Sequence, residues 1–148
     1  MNPEYYKGFI KVLNERGIAV VAPEYFLHAL SDFGSLSRLT LEIADSIYKV
    51  YGYHPACIGG HSAGGYIAAI LSDSFKCLVL LSPYVPEDVN IKRPTIIFGG
   101  DRDVLTPFWV FQYALFLKIQ GDKVLFLLKG ANHNTYMDKP MFWDVIAG

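Results

Sequence analysis

Ala56-Cys57-Ile58-Gly59-Gly60-His61-Ser62-Ala63-Gly64-Gly65 is the stretch on which the reading of this chain turns. A short apolar run reaches Gly60-His61-Ser62-Ala63-Gly64, which fits G-x-S-x-G, and Tyr66-Ile67-Ala68-Ala69-Ile70-Leu71 then reads as a helix. A strand, a sharp turn and a helix with serine at the apex form the context this motif needs. The turn forces the serine backbone into a strained conformation, so that its hydroxyl projects from the strand end. Side chains at Gly60 and Gly64 are expected to collide where strand and helix close on each other. The helix aims its first N–H groups at the place where an oxyanion would form.

Outward from this turn, apolar runs alternate with helical patterns. Asn2 and Pro3 make a helix start, Tyr6, Phe9, Ile10 and Leu13 recur at helical spacing, and Gly17 is a stop. Ile18 to Ala22 reads as a buried strand ended by Pro23-Glu24-Tyr25. Leu36, Leu39, Ile43, Ile47 and Val50 stripe a helix that Gly52 terminates. Further strands are expected at Ala56 to Gly59, Cys77 to Leu81, Pro94 to Phe98 and Val124 to Leu128. Thr106 is expected to cap, and Pro107 to open, an apolar helix reaching about Ile119. Asp138 and Pro140 start a last short helix carrying Met141, Phe142, Trp143, Val145 and Ile146.

Continuous apolar strands alternating with helices imply an α/β fold, a three-layer sandwich whose mainly parallel sheet has about five strands. In such sheets ligands bind beyond the carboxyl ends of the strands. With 148 residues, 52% of them hydrophobic and 18% charged, residues 1–148 read as one domain with a core of its own. A net charge of −1 without a basic run points to neither nucleic acid nor an anionic membrane. The longest apolar stretch, Phe108 to Ile119, carries Gln112 and Lys118 and falls short of the roughly 20 residues that span a bilayer. No signal peptide is visible, which says little about compartment. Cys57 and Cys77 read as two buried thiols. Neither these cysteines nor the scattered histidines have metal-ligand spacing, so no metal and no organic cofactor are expected.

A serine hydroxyl is a weak nucleophile until a base takes its proton, so a histidine and an acid that orients it should follow. After the strand ending at Phe98 comes Gly99-Gly100-Asp101-Arg102-Asp103-Val104-Leu105-Thr106-Pro107, and after the strand ending at Leu128 comes Lys129-Gly130-Ala131-Asn132-His133. Ser62, Asp103 and His133 thus stand in nucleophile–acid–base order, with Asp101 the rival acid. His61 is the variable position of the motif and is expected to pack rather than react. Phe108, Trp109, Phe111 and Phe116 read as core.

On these residues the chain resembles the C-terminal two-thirds of an α/β-hydrolase domain of the dienelactone hydrolase, cutinase-like and carboxylesterase kind. In that family a strand leads into a glycine, two residues, the catalytic aspartate and a proline four residues on, as at Gly100, Asp103 and Pro107. The family's histidine follows a Gly-Ala/Ser-x-His turn, as at Gly130-Ala131-Asn132-His133. Gly17 to Tyr25 is similar to the family's fourth strand and its exit. The resemblance implies a serine hydrolase acting on a carboxylic ester or related small acyl substrate. Ser62 would be nucleophile, His133 base, Asp103 its orienting acid, and Ala63 N–H an oxyanion donor. Tyr84, Val85 and Tyr136 are substrate-contact candidates, since each follows a catalytic-edge strand.

The family's first three strands, and the glycine loop that donates a second oxyanion N–H, have no counterpart here. Their absence leaves the fourth strand without its neighbour, and interior strands need partners. A longer protein, a second chain, or a shift of Ile18 to Ala22 onto Ala56 to Gly59 would each restore the ladder. The third is expected, and would bring Tyr25 and Phe26 near the vacant donor position. An exposed edge at the first strand suggests a homodimer formed through it. The short connection between Ser82 and Arg93 leaves no room for a lid domain there and favours an open cleft. The rival reading is a non-catalytic binding or scaffold protein on the same fold.

Overall fold

Apolar runs become strands where a neighbouring run completes their hydrogen bonds, and four of them do so here. The structure is a computed structural model that describes residues 2–24, 32–86 and 88–139. A 3-10 turn at Pro3–Tyr6, capped by the Asn2 side chain on the Glu4 N–H, runs into helix α1 (Lys7–Asn14). Helix α2 spans Phe33–Tyr51, its N-terminus capped by Asp32 and its C-terminus closed by left-handed Gly52. Strand β1 (Cys57–His61) leads into α3 (Ala63–Ile70) and β2 (Cys77–Leu81). Then follow β3 (Thr95–Gly100), α4 (Gln112–Lys118) and β4 (Lys123–Leu128).

The strands form one parallel sheet in the order β1-β2-β3-β4, flanked by helices. Register pairs Gly60 with Leu80, Leu81 with Phe98, and Gly100 with Leu128. With neighbours in chain order and a shared direction, right-handed crossovers place α3 and α4 on one face. Ile58, Leu78, Leu80 and Ile97 point to that face and bury against Ala68, Ile67, Ile91 and Leu115. Helix α2 joins the same core through Leu36, and its Phe33 ring meets Tyr66 edge-on at 5.1 Å. On the opposite face Ile96, Val124 and Phe126 stay exposed among the described residues, with Phe98 stacked on Phe126 at 5.0 Å. No helix among the described residues is long and apolar enough to cross a membrane.

Several expectations are corrected. Among the described residues the sheet has four strands, not about five, because Ile18 to Ala22 joins no ladder and does not pair with β1. Ile18 and Val21 are 50% and 56% exposed, and an apolar run without a ladder partner gains neither bonds nor burial. Cys57 and Cys77 are not free thiols. They sit opposite each other in the β1–β2 register, with Cα atoms 4.6 Å apart, and form a disulfide. The helix expected from Pro107 begins only at Gln112, after turns over 108–111, so Thr106 is not its cap. Trp109 is 68% exposed rather than core, whereas Phe108 is buried. Tyr25, Phe26 and the expected last helix from Pro140 lie outside the described residues.

Candidate functional site

At the end of β1 the chain turns through Ser62 with φ 56° and ψ −123°, a conformation that side chains rarely adopt. Backbone bonds hold it there. Ser62 N–H donates to the Leu81 carbonyl (3.0 Å), while the Ser62 carbonyl accepts from Gly65 N–H (2.9 Å) and Tyr84 N–H (3.0 Å). A Cβ on Gly60 would lie on the Gly64 carbonyl, so strand and helix close only over glycine there. The second crowded position is Gly65, not Gly64 as the motif suggests. A Cβ on Gly65 would meet Pro83 Cβ at 2.7 Å, whereas one on Gly64 meets nothing within 4 Å. Helix α3 starts at Ala63, whose N–H has no acceptor among the described residues.

The loops after β3 and β4 are built against each other. Gly100 has no side chain where Ala131 approaches, and Arg102 N–H donates to the Ala131 carbonyl at 3.0 Å. Gly130 takes φ 76°, and its N–H donates to Asp101 Oδ1 at 2.6 Å. Asp101 is therefore an exposed loop staple. Asp103 is buried, and His133 Nδ1 stands 2.9 Å from its Oδ2 and 3.1 Å from its Oδ1. The same carboxylate accepts the N–H groups of Leu105 (3.0 Å) and Thr106 (2.8 Å) and the Thr106 hydroxyl (2.8 Å). Burial alone would raise the Asp103 pKa, but the bonds from His133 and Thr106 outweigh it and hold the acid at about 2. An ionised Asp103 keeps the proton of neutral His133 on Nδ1 and leaves Nε2 as a base.

Ser62, Asp103 and His133 follow β1, β3 and β4 respectively, all at the carboxyl end of the sheet. His133 and Asp103 are bonded to each other; the Ser62 hydroxyl and His133 Nε2 have no hydrogen bond between them in this structure. His61 carries the connection. Its Nε2 lies 2.7 Å from the His133 carbonyl oxygen and its Nδ1 lies 2.7 Å from the Tyr6 hydroxyl. Burial, and then the neighbouring His133, push the His61 pKa down to about 4.

Tyr136 lies under the same rim, its ring 5.5 Å from His61 and its hydroxyl 3.5 Å from Ser82 Oγ. Burial raises its pKa. Tyr84 is 38% exposed and its ring sits 5.4 Å from Phe111. Val85 is half-buried and faces a shallow groove with Val89, Val110 and Phe111.

Sequence reasoning misses Thr106 and His61. Thr106 reads as a helix cap, and only the turn it makes with Asp103 brings its hydroxyl onto the carboxylate. His61 has a usable signal: with Ile58 facing α3, strand alternation sends His61 to the other face, beside the histidine loop. Among the described residues no three His, Cys, Asp or Glu side chains gather as a metal site.

No protein-family model matches the chain, and no curated protein matches it by sequence. Solved structures are similar to it. One is an alpha-beta serine hydrolase homologue from Coxiella burnetii, with TM-score 0.70 and 19% identity over 90% of this chain and 69% of that one. The esterase domain of a Rhodothermus marinus protein gives TM-score 0.70 and 18% identity over 90% and 72%. MGS-MChE2, an alpha/beta hydrolase enzyme from the metagenome of sediments of the lagoon of Mar Chica, Morocco, gives 0.74 and 20% over 99% and 84%. The chain has an α/β-hydrolase-like fold.

Proposed function

We propose that this fold serves a serine hydrolase that cleaves a carboxylic ester or related small acyl substrate through an acyl-enzyme. Ser62 Oγ attacks the carbonyl carbon, and His133 Nε2 takes its proton and hands it to the leaving group. Asp103 holds the imidazole in the useful tautomer and stabilises the imidazolium. The Ala63 N–H donates to the oxyanion at the start of α3. A water activated by His133 then releases the acid. Tyr84, Val85 and Tyr136 contact the acyl or alcohol part. Residues 1–148 act as one α/β-hydrolase-like domain, and a second copy pairs along an exposed edge of its sheet.

The observation that carries this reading is the buried Asp103–His133 bond, 2.9 Å long, on the rim where Ser62 is held at positive φ. Nucleophile–base bonds are often open in unliganded enzymes and close with substrate. The experiment is labelling by a fluorophosphonate, with the adduct mapped by mass spectrometry. Rapid modification of Ser62, lost in Ser62→Ala and in His133→Ala, is expected.

A second reading is a binding or scaffold protein. It draws on the open Ser62–His133 contact and on the single oxyanion donor, Ala63, among the described residues. Loss of one donor lowers turnover by about 10² to 10³. A folded protein whose Ser62 stays inert to the fluorophosphonate establishes that reading instead.

A further inference from the structure

We infer that His61 is a positioning residue: its Nε2–H grips the His133 carbonyl while the Tyr6 hydroxyl donates to its Nδ1, and this grip sets where the His133 imidazole stands on the Ser62 rim. The role in turnover rests on the hydrolase reading above; the grip itself does not.

The bonding pattern admits one arrangement. A carbonyl oxygen only accepts, so the 2.7 Å contact from His61 Nε2 to the His133 carbonyl requires hydrogen on Nε2. His61 is 6% exposed, and burial keeps its ring neutral above a pKa of about 4. A neutral ring with hydrogen on Nε2 has a bare Nδ1, so the Tyr6 hydroxyl at 2.7 Å must be the donor. The His133 carbonyl thereby selects the tautomer, and the Tyr6 hydroxyl, which can donate or accept, holds the ring from its other nitrogen. The phenol keeps its proton throughout the working range, because burial raises its pKa to about 12.

The grip lies at the reacting end of the molecule. His61 is the residue before Ser62, and its ring centre is 4.7 Å from that of His133. One rigid strand end therefore carries the nucleophile on one residue and the clamp for its base on the residue before. Tyr6 is anchored in turn. The Tyr5 carbonyl accepts from Asp138 N–H at 2.7 Å, and Asp138 Oδ2 accepts from Gly8 N–H at 2.7 Å. The N-terminal turn that carries Tyr6 and the loop beyond His133 are thus tied directly to each other. A side chain that merely filled space would need neither polar contact.

Three variants test this. Glutamine can place its amide N–H where Nε2 stands, leucine fills the volume without a donor, and Tyr6→Phe removes only the hydroxyl. Fluorophosphonate labelling of Ser62 is expected to slow about 100-fold in His61→Leu, since a misplaced base costs that order. His61→Gln should recover to within about tenfold of the parent, and Tyr6→Phe should lose about tenfold, one hydrogen bond's worth. Proton NMR gives a readout independent of turnover. The downfield Nδ1–H signal of His133 should be sharp in the parent and in His61→Gln, and broadened in His61→Leu.

Nitrogen shifts should report the Nε2–H tautomer of His61 in the parent and in Tyr6→Phe alike, since the His133 carbonyl alone requires it. Equal impairment of the leucine and glutamine variants, or a sharp His133 signal in both, overturns the clamp. If leucine does not fold, an Nδ1–H tautomer of His61 in the parent, or a labelling rate unchanged in Tyr6→Phe, overturns it. Should the parent itself not label, the hydrolase reading falls and the NMR comparison alone decides the clamp.

Discussion

His133 Nδ1 points into the carboxylate of Asp103, 2.9 Å from one oxygen and 3.1 Å from the other. Every bond on that carboxylate comes from a donor: Leu105 and Thr106 N–H, the Thr106 hydroxyl and the imidazole. An amide in its place must turn its NH₂ toward donors in either orientation. If the proposed mechanism holds, Asp103→Asn should therefore lower hydrolysis of a nitrophenyl ester by about 10⁴ while the fold persists, as loss of the orienting acid does in serine proteases. A folded variant within threefold of the parent would remove Asp103 from the mechanism.

Thr106 offers a quieter test of the same charge. Its hydroxyl is buried and reaches Asp103 Oδ2 at 2.8 Å, the Ser82 carbonyl at 3.2 Å and His133 Nδ1 at 3.2 Å. Thr106→Val keeps the shape and removes the donor. Stability at pH 7 should fall by about 1.5–3 kcal/mol, the range for a hydrogen bond to a charged group. The Asp103 pKa should rise, and with it the pH of acid unfolding. Denaturant melts at pH 7 and pH 3 that superimpose on the parent's would show the hydroxyl to be idle.

His61 and Asp103, two buried groups whose pKa values are lowered, give stability a definite course in acid. His61 titrates near 4 in the fold against an ordinary 6.5, so between those values the unfolded chain takes up a proton that the folded one refuses. Stability therefore falls on acidification from pH 6.5 to 4, by about 3 kcal/mol if the shift is fully expressed. Asp103, held at about 2 against an ordinary 3.8, adds stability above 3.8 that is lost as pH falls further toward 2. The loss thus comes in two successive windows, and His61→Gln should abolish the upper one. Denaturant midpoints of the parent that do not move between pH 7 and 4 would contradict the buried, neutral His61.

Local signals carry most of this molecule. The run from Ala56 to Ile70 shows its strand, turn and helix in sequence because each is fixed by near neighbours and by the glycine at position 60. The Gly100–Asp103 and Gly130–His133 spacings are legible for a similar reason, since each is one turn after one strand. Pairing is not legible. Whether Ile18 to Ala22 is a strand depends on a partner elsewhere, and that Cys57 meets Cys77 depends on the register of two parallel strands. His61 escapes a sequence reading because its partners, Tyr6 and His133, come from distant segments. Thr106 escapes it because a threonine before a proline reads as a helix cap, when its hydroxyl in fact turns back onto Asp103. Trp109 has the hydrophobicity of a core residue, yet it sits on a turn that α4 does not reach.

The glycines around Ser62 should not be interchangeable. Gly64 lies in the first turn of α3, where an added methyl would have no neighbouring atom within 4 Å, whereas a methyl on Gly65 meets Pro83 at 2.7 Å. Gly64→Ala should leave stability unchanged or raise it by up to about 1 kcal/mol, the helix-propensity gain. Gly65→Ala should cost about 1–3 kcal/mol, the range for overpacking. Thermal melts that rank the two the other way round would refute this account of the turn.

The disulfide supplies the last prediction. Cys57 and Cys77 are 20 residues apart and enclose Ser62 and all of α3, so the bond closes a loop around the candidate nucleophile. Closing a loop of that length in the unfolded chain is worth about 3 kcal/mol in the chain-entropy account. The cysteines face each other across neighbouring strands, so the folded state already holds their backbones together without the bond. Reduction should therefore act mainly on the unfolded ensemble: lower denaturant midpoints, with the sheet retained at zero denaturant. Unreduced protein should show no thiol on titration and a mass two hydrogens below the reduced form. Cys57→Ala combined with Cys77→Ala should match the reduced protein in stability and should no longer respond to reductant. Two titratable thiols in oxidised, folded protein, or a double variant as stable as the unreduced parent, would mean that the β1–β2 pairing stands on its ladder and core alone.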